Sequence, residues 1–221
     1  MKRVLVSVEG QTEEAFIKKV LHPHLSTFEI HVIPVIVATR VIKQGGRFKG
    51  GLSSYGKAQR DLRRLLGDTD AAAVTTMYDY YQLPSDFPGY ETRPLGDCYQ
   101  TVMYLERQME IDLGEPRFRA YLQVHEFEAL LFSDPEAIAY HTTSPGKLAE
   151  LLEIRNAFQS PEEINDGIET APSKRIRRLC PTYQKPVHGV LISSEIGLRA
   201  IREQCSHFDA WVSWLEGLGR G

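Results

Sequence analysis

Val4-Leu5-Val6-Ser7-Val8-Glu9-Gly10-Gln11-Thr12-Glu13-Glu14 decides how this chain is read, because a short apolar strand runs into an acidic turn and then into a helix. A carboxylate at the carboxyl end of a first strand sits where open α/β sheets place their ligands, and Gly10 lets the backbone turn tightly there. Thr12 reads as the helix N-cap. Glu13 and Glu14 fall in the first turn, where the positive end of the helix dipole favours negative charge, so neither needs a chemical role. Glu9 is different: it precedes the helix, capping does not require it, and a strand covered on both faces has no structural reason to end on an acid.

Working outward, 221 residues with 42% hydrophobic content can bury one good core, with or without a smaller helical region. No stretch approaches the roughly 18 to 20 apolar residues of a membrane span, and the first strand is too short and too soon followed by acids for a signal peptide. A cytoplasmic protein without membrane contact is expected. Cys98, Cys180 and Cys205 are odd in number and widely spaced, which argues for reduced, mostly buried thiols over disulfides or a cysteine zinc site. With a formal charge of −3 and a pI near 6.2, any phosphate-binding surface has to be local.

The first helix is predicted from Glu13 to about Leu25, and a second strand over 28–37, rich in β-branched residues. His22, His24 and His31 beside these elements read as packing or surface groups. Gly45-Gly46-Arg47-Phe48-Lys49-Gly50-Gly51 is either a basic loop able to lie along a phosphate backbone or a plain connection; it lacks the Gly-Lys-Ser/Thr ending of a nucleotide-binding loop. A helix with an apolar side through Leu52 to Leu66 follows. The third strand, from Ala71, ends at Asp79, so a second carboxylate stands at the end of a buried strand. In a parallel sheet Glu9 and Asp79 share one edge, within bridging distance of a common cation. The loop at Tyr80, Tyr81 and Pro84 is too long for a tight turn and lies on the working edge.

A helix is predicted from about Asp97 to Leu113 and a fourth strand over 118–124, followed by His125-Glu126-Phe127-Glu128. Glu126 and Glu128 differ in direction, so one of the two is expected to face the site. His125 reads equally as a general base, metal ligand or orienting group and as a structural histidine. From Ser133 onward helices and turns dominate: helices at 147–158, from Ser160-Pro161, at 194–205 and at 207–218, the last packing back through Trp211, Trp214 and Leu215. Ala171-Pro172-Ser173-Lys174-Arg175 opens a basic segment that reads as a phosphate clamp or a solvated face. An α/β core over 1–132 and a helical region packed on it over 133–221 are expected.

Val8-Glu9-Gly10-Gln11-Thr12-Glu13-Glu14, Asp79-Tyr80-Tyr81-Gln82-Leu83-Pro84, the run from His125 to Phe132, Ala171 to Ile176 and the stretch from Cys205 to Trp211 together resemble the domain-of-unknown-function 4276 family over nearly the whole chain. That resemblance implies a Toprim-like (Rossmann-like) fold, a mainly parallel sheet flanked by helices, similar to the metal-binding fold of topoisomerases, bacterial primases and overcoming-lysogenization-defect nucleases. For some members of that family it also implies a role in phage defence beside an ATPase. Toprim sites pair a Glu after the first strand with an Asp-x-Asp after the third to hold magnesium against a phosphodiester. Glu9 and Asp79 match, whereas Tyr81 stands in place of the second Asp.

Carboxylates suit Mg2+ or Mn2+, and acids clustered without a cation raise one another's pKa. The expected function is a metal-dependent phosphodiester hydrolase, a nuclease acting on DNA or RNA. Glu9, Asp79, Glu126 and Glu128 are its candidate metal ligands, Glu9, Asp79, His125, Glu126 and Lys174 its catalytic candidates, and Arg47, Lys49, Lys174 and Arg175 its substrate contacts. A non-catalytic nucleic-acid-binding or regulatory partner of an ATPase is the alternative. A phosphotransferase lacks its glycine-rich phosphate loop.

Overall fold

β1 (Lys2–Val8) occupies an inner position in the sheet of this computed structural model, which describes residues 1–37, 52–81, 83–164, 167 and 170–220. It pairs in parallel with β2 (Ile30–Ile36) on one side and β3 (Ala71–Asp79) on the other. β4 (Phe118–Arg119) and β5 (Leu122–Gln123) both pair in parallel with β3, so the sheet order is β2-β1-β3-β4, with β5 pairing the carboxyl end of β3. The single strand expected over 118–124 is thus two short ones. Between them the Thr76 hydroxyl replaces the ladder: it donates to the Tyr121 carbonyl at 2.8 Å and accepts from the Tyr121 amide at 2.9 Å.

Strand side chains alternate between two cores, as their period of two requires. Val4, Val6, Val8, Ala73 and Met77 face one, and Leu5, Val74 and Tyr78 the other. On the first face lie α1 (Gln11–Phe16) and α2 (His22–Ser26), joined by the π-helical turn Ile17–Leu21. The second face is covered by α3 (Tyr55–Leu66) and α4 (Cys98–Leu113), with Leu62, Leu105 and Met109 fully buried. All remaining helices join the first core: α5 (Phe127–Leu131), α6 (Pro135–His141), α7 (Leu148–Asn156), α8 (Pro172–Leu179), α9 (Lys185–Gln204) and α10 (Ser206–Gly219). Phe16, Phe127, Phe132 and Phe208 are wholly buried there, each contributing about 1.5 to 3 kcal/mol. Trp211 stacks on Tyr121 at 4.4 Å and donates its indole N–H to the Thr75 hydroxyl at 3.0 Å, which ties α10 to the sheet.

Several local expectations change. The first helix begins at Gln11 with Gly10 as its N-cap residue, so Thr12 is a buried helical residue and no side chain caps the end. Gly10 is extended (φ −163°), a conformation open to any residue, so the turn after Glu9 does not use glycine's freedom. The helix expected from Ser160 is one 3-10 turn, Pro161–Glu163. The helix expected at 194–205 is the second half of α9, which starts at Lys185 and breaks at Gly197, where φ is +77°. His24 Nε2 donates to the Glu216 carboxylate at 2.6 Å, and His22 meets His31 edge to face, so these histidines pack as expected. The three cysteines are free, two of them buried. Among the described residues, no helix is long and apolar enough to cross a membrane.

Candidate active site

β1 and β3 are neighbours, yet the chain leaves β1 for β2 on one side and returns to β3 on the other. Their carboxyl ends therefore flank a crevice where strand order reverses, the place at which open α/β sheets bind ligands. The register pairs Val8 with Met77, which sets Glu9, the residue after β1, level with Tyr78 and one residue short of Asp79, where β3 ends. The Asp79 amide donates to Glu9 Oε1 at 2.8 Å. Asp79 Oδ1 in turn accepts from the Phe127 amide at the start of α5, at 2.9 Å.

Three more carboxylates converge on this point. Glu13, from α1, is 4% exposed, and Glu126 and Glu128, from the start of α5, are 8% and 0% exposed. Glu126 has extended backbone and Glu128 is helical; this change of conformation re-aims the chain between them, so both join the cluster, correcting the expectation that only one would. Glu126 accepts from the Ser173 amide at 2.9 Å and the Ser173 hydroxyl at 3.1 Å. Glu128 accepts from the Tyr183 hydroxyl at 3.2 Å.

One ammonium stands among them. Lys185 Nζ, from the first residue of α9, lies 3.0 Å from Glu128, 3.3 Å from Asp79 and 3.7 Å from Glu13. The Glu128 contact is an ion pair without the alignment of a hydrogen bond. Gly189, one turn further along α9, explains the close approach: a Cβ there would stand 2.8 Å from Thr12 and 3.3 Å from the Phe127 ring. Its absence lets α9 settle onto α1 and α5, carrying Lys185 down with it. Side-chain exposures of 14% at Asp79 and 27% at Lys185 leave the cluster open to solvent on one side.

The electrostatics follow from five acids sharing one base. Burial, then the negative charge of Asp79, holds the Glu9 carboxyl well above its ordinary range. Burial raises Glu13 to about 7 against the pull of Lys185, and burial with the charge of Glu128 raises Glu126 to about 7. Asp79 is also raised, chiefly by burial. Burial would lower Lys185, but Asp79, Glu128, Glu13 and Glu126 more than offset it and hold the ammonium charged. Hard oxygen donors in this number suit a divalent cation of the magnesium class, and the surplus of acid over base calls for protons or such an ion. Among the described residues, no three acids, histidines or cysteines stand ready-arranged as a metal cage. Carboxylate oxygens are the donor type such an ion takes, and Lys185 Nζ stands among three of these carboxyl groups.

Of the sequence candidates, Glu9, Asp79, Glu126 and Glu128 come together. His125 lines an adjoining cavity with Tyr80. Lys174 is exposed on α8, the helix whose Ser173 holds Glu126; Arg175 beside it donates to the Thr170 carbonyl at 2.7 Å and lies over the Phe158 ring. Arg47 and Lys49 lie outside the described residues. Glu14 forms a 2.6 Å pair with Lys18 one turn on. Glu13, Lys185 and Ser173 were missed. Glu13 had a signal, since it shares the apolar helix stripe of Phe16, Ile17 and Val20. Lys185 had none, because nothing local marks a lysine that is met by acids more than fifty residues away.

A family model described as Domain of unknown function (DUF4276) matches residues 8–216. No curated protein and no solved structure matches the chain.

Proposed function

The chain belongs to the DUF4276 family, and from that premise we propose that it is a metal-dependent phosphodiester hydrolase, a nuclease acting on DNA or RNA. The observation carrying this reading is the meeting of Glu9, Glu13, Asp79, Glu126 and Glu128 around one ammonium at the strand-order reversal of a parallel sheet. Glu9, Asp79, Glu126 and Glu128 would hold Mg2+ or Mn2+, which supplies charge neutralisation at the phosphate and a polarised water. The chain's own residues prepare that site. Amides of Asp79 and Phe127 orient Glu9 and Asp79, and Ser173 fixes Glu126. Glu13, which is not among those ligands and is raised to about 7 by burial, can hold or release a proton at neutral pH. Lys185 balances charge and offers a donor toward a phosphate oxygen at the exposed side. Lys174 supplies a phosphate contact at the rim.

This reading takes the sheet as Toprim-like, with Glu9 after β1 and Asp79 at the end of β3 as its acidic pair, and Glu126 and Glu128 supplying the oxygens that Tyr81 cannot. A cytoplasmic role in phage defence beside an ATPase accompanies it. Lys185 favours a second reading: a cluster already neutralised in part by its own ammonium suits a non-catalytic, nucleic-acid-binding or regulatory partner of such an ATPase. Purified protein, with Glu9→Ala and Asp79→Ala versions, is incubated with plasmid, single-stranded DNA and RNA in Mg2+ or Mn2+. Cutting that needs the ion and disappears in both variants supports the hydrolase; salt-sensitive binding without cutting supports the partner.

A further inference from the structure

The cavity lined by Tyr80 and His125, of about 590 Å³, opens beside the acidic cluster. Its walls share the chain with two of the clustered acids. Tyr80 follows Asp79 directly and His125 directly precedes Glu126, and both line it. Amides of Tyr80 and Tyr81 donate to the carbonyls of Gln123 and His125 at 2.9 and 2.8 Å, which locks the two segments together. His125 itself is held at φ +63°, a left-handed conformation that a non-glycine side chain adopts at a cost and that concentrates at functional sites. Tyr80 and His125 hold their rings 6.2 Å apart and inclined by 40°, and Tyr99 of α4 also lines the cavity.

The cavity's charge is as informative as its rings. Among the described residues, Asp97 and Glu163 line it and neither Lys nor Arg does. A phosphate would be repelled there; a neutral ring carrying N–H donors would be attracted, because carboxylates accept from exocyclic amino groups as they do from the N4 amine of cytosine. Leu95, 84% exposed on the same wall, offers apolar surface at the mouth. The volume falls within the range of small-molecule sites.

We propose that this cavity is a nucleobase subsite, taking one unpaired, amino-bearing base stacked against Tyr80 while the attached phosphate faces the Asp79 and Glu126 side. A base within a duplex cannot leave its stack to enter unless flipped, so the substrate class is single-stranded or locally unpaired nucleic acid. The inference rests on the nucleic-acid reading above and narrows it.

The test uses the full chain and a short single-stranded DNA carrying one 2-aminopurine, in Ca2+, with fluorescence reporting stacking and anisotropy reporting affinity. The wild type should quench the probe on binding. Tyr80→Ala should bind about tenfold more weakly, within the range of one lost base–aromatic stack, and Tyr80→Phe should restore affinity. Asp97→Asn combined with Glu163→Gln, in which asparagine still caps α4, should erase a preference for cytosine over thymine in the same strand. Unchanged affinity and quenching in a folded Tyr80→Ala protein, or equal binding of a fully paired duplex, overturns the subsite. Binding and cutting report separately: quenching without ion-dependent cutting leaves the subsite standing and removes the hydrolase, and cutting with no Tyr80 effect does the reverse.

Discussion

Lys185→Met removes the one positive charge that stands, among the described residues, between five carboxyl groups, while keeping a side chain of similar length. Its ammonium lies 3.0 to 3.7 Å from Glu128, Asp79 and Glu13, two of which are 5% exposed or less. Breaking one side of a buried pair costs about 3 to 5 kcal/mol. With 27% of the Lys185 side chain still in water, the low end applies, about 3 kcal/mol at pH 8. For a chain of this length that is a fall in Tm of about 6 to 12 °C. The loss should depend on pH, and the lysine is not the group that makes it so. Its folded pKa lies above the ordinary 10.5, so the ammonium stays charged in both folded and unfolded chains throughout pH 5.5 to 8 and adds no pH dependence of its own there. The acids change instead. Glu13 and Glu126 titrate near 7 in the folded protein against 4.5 unfolded, so at pH 5.5 they carry protons and miss the ammonium less. Thermal melts in EDTA should therefore show less than half the Tm loss at pH 5.5 that they show at pH 8, and Mg2+ or Mn2+ should recover part of the loss at pH 8. An equal loss at both pH values would refute the idea that this ammonium balances the acid cluster.

Wild-type stability should itself fall as pH rises from 5.5 to 8, because the folded state holds protons on raised carboxyls that the unfolded chain has released; Glu13→Gln should shrink that fall by about 2 kcal/mol, read from urea midpoints. Ser173→Ala removes the hydroxyl 3.1 Å from Glu126, and the Mg2+ concentration needed for half-maximal cutting should rise about tenfold. Lys174→Ala should weaken nucleic-acid binding uniformly across sequences and lower the salt slope by about 1, whereas Arg175→Ala, which loses its bond to the Thr170 carbonyl, should in addition cost about 1 kcal/mol of stability in the same urea titration. An unchanged slope in both variants would take α8 out of the binding surface.

Much of the architecture was legible because it is written in short-range pattern. β-branched runs of the right length bounded by acids or glycine mark β1, β2 and β3, and apolar spacing marks α3, α4 and α10. Where the pattern misled, a longer-range partner had replaced the local rule. Thr12 looks like a cap but is buried under α9, and residues 118–124 look like one strand until the Thr76 hydroxyl takes the place of a ladder rung.

The acid site divides along the same line. Glu9 and Asp79 could be read from the chain alone, since a carboxylate just past a buried strand is conspicuous in one dimension and parallel strands end on a common edge. Lys185, and the recruitment of Glu13, could not. A lone lysine before Pro186 reads like any solvated lysine, and it enters the cluster only because Gly189 lets α9 press against Thr12 and Phe127. Charge balance in this site is therefore a product of helix packing between distant segments, and distance in space is the one quantity that residue order does not carry.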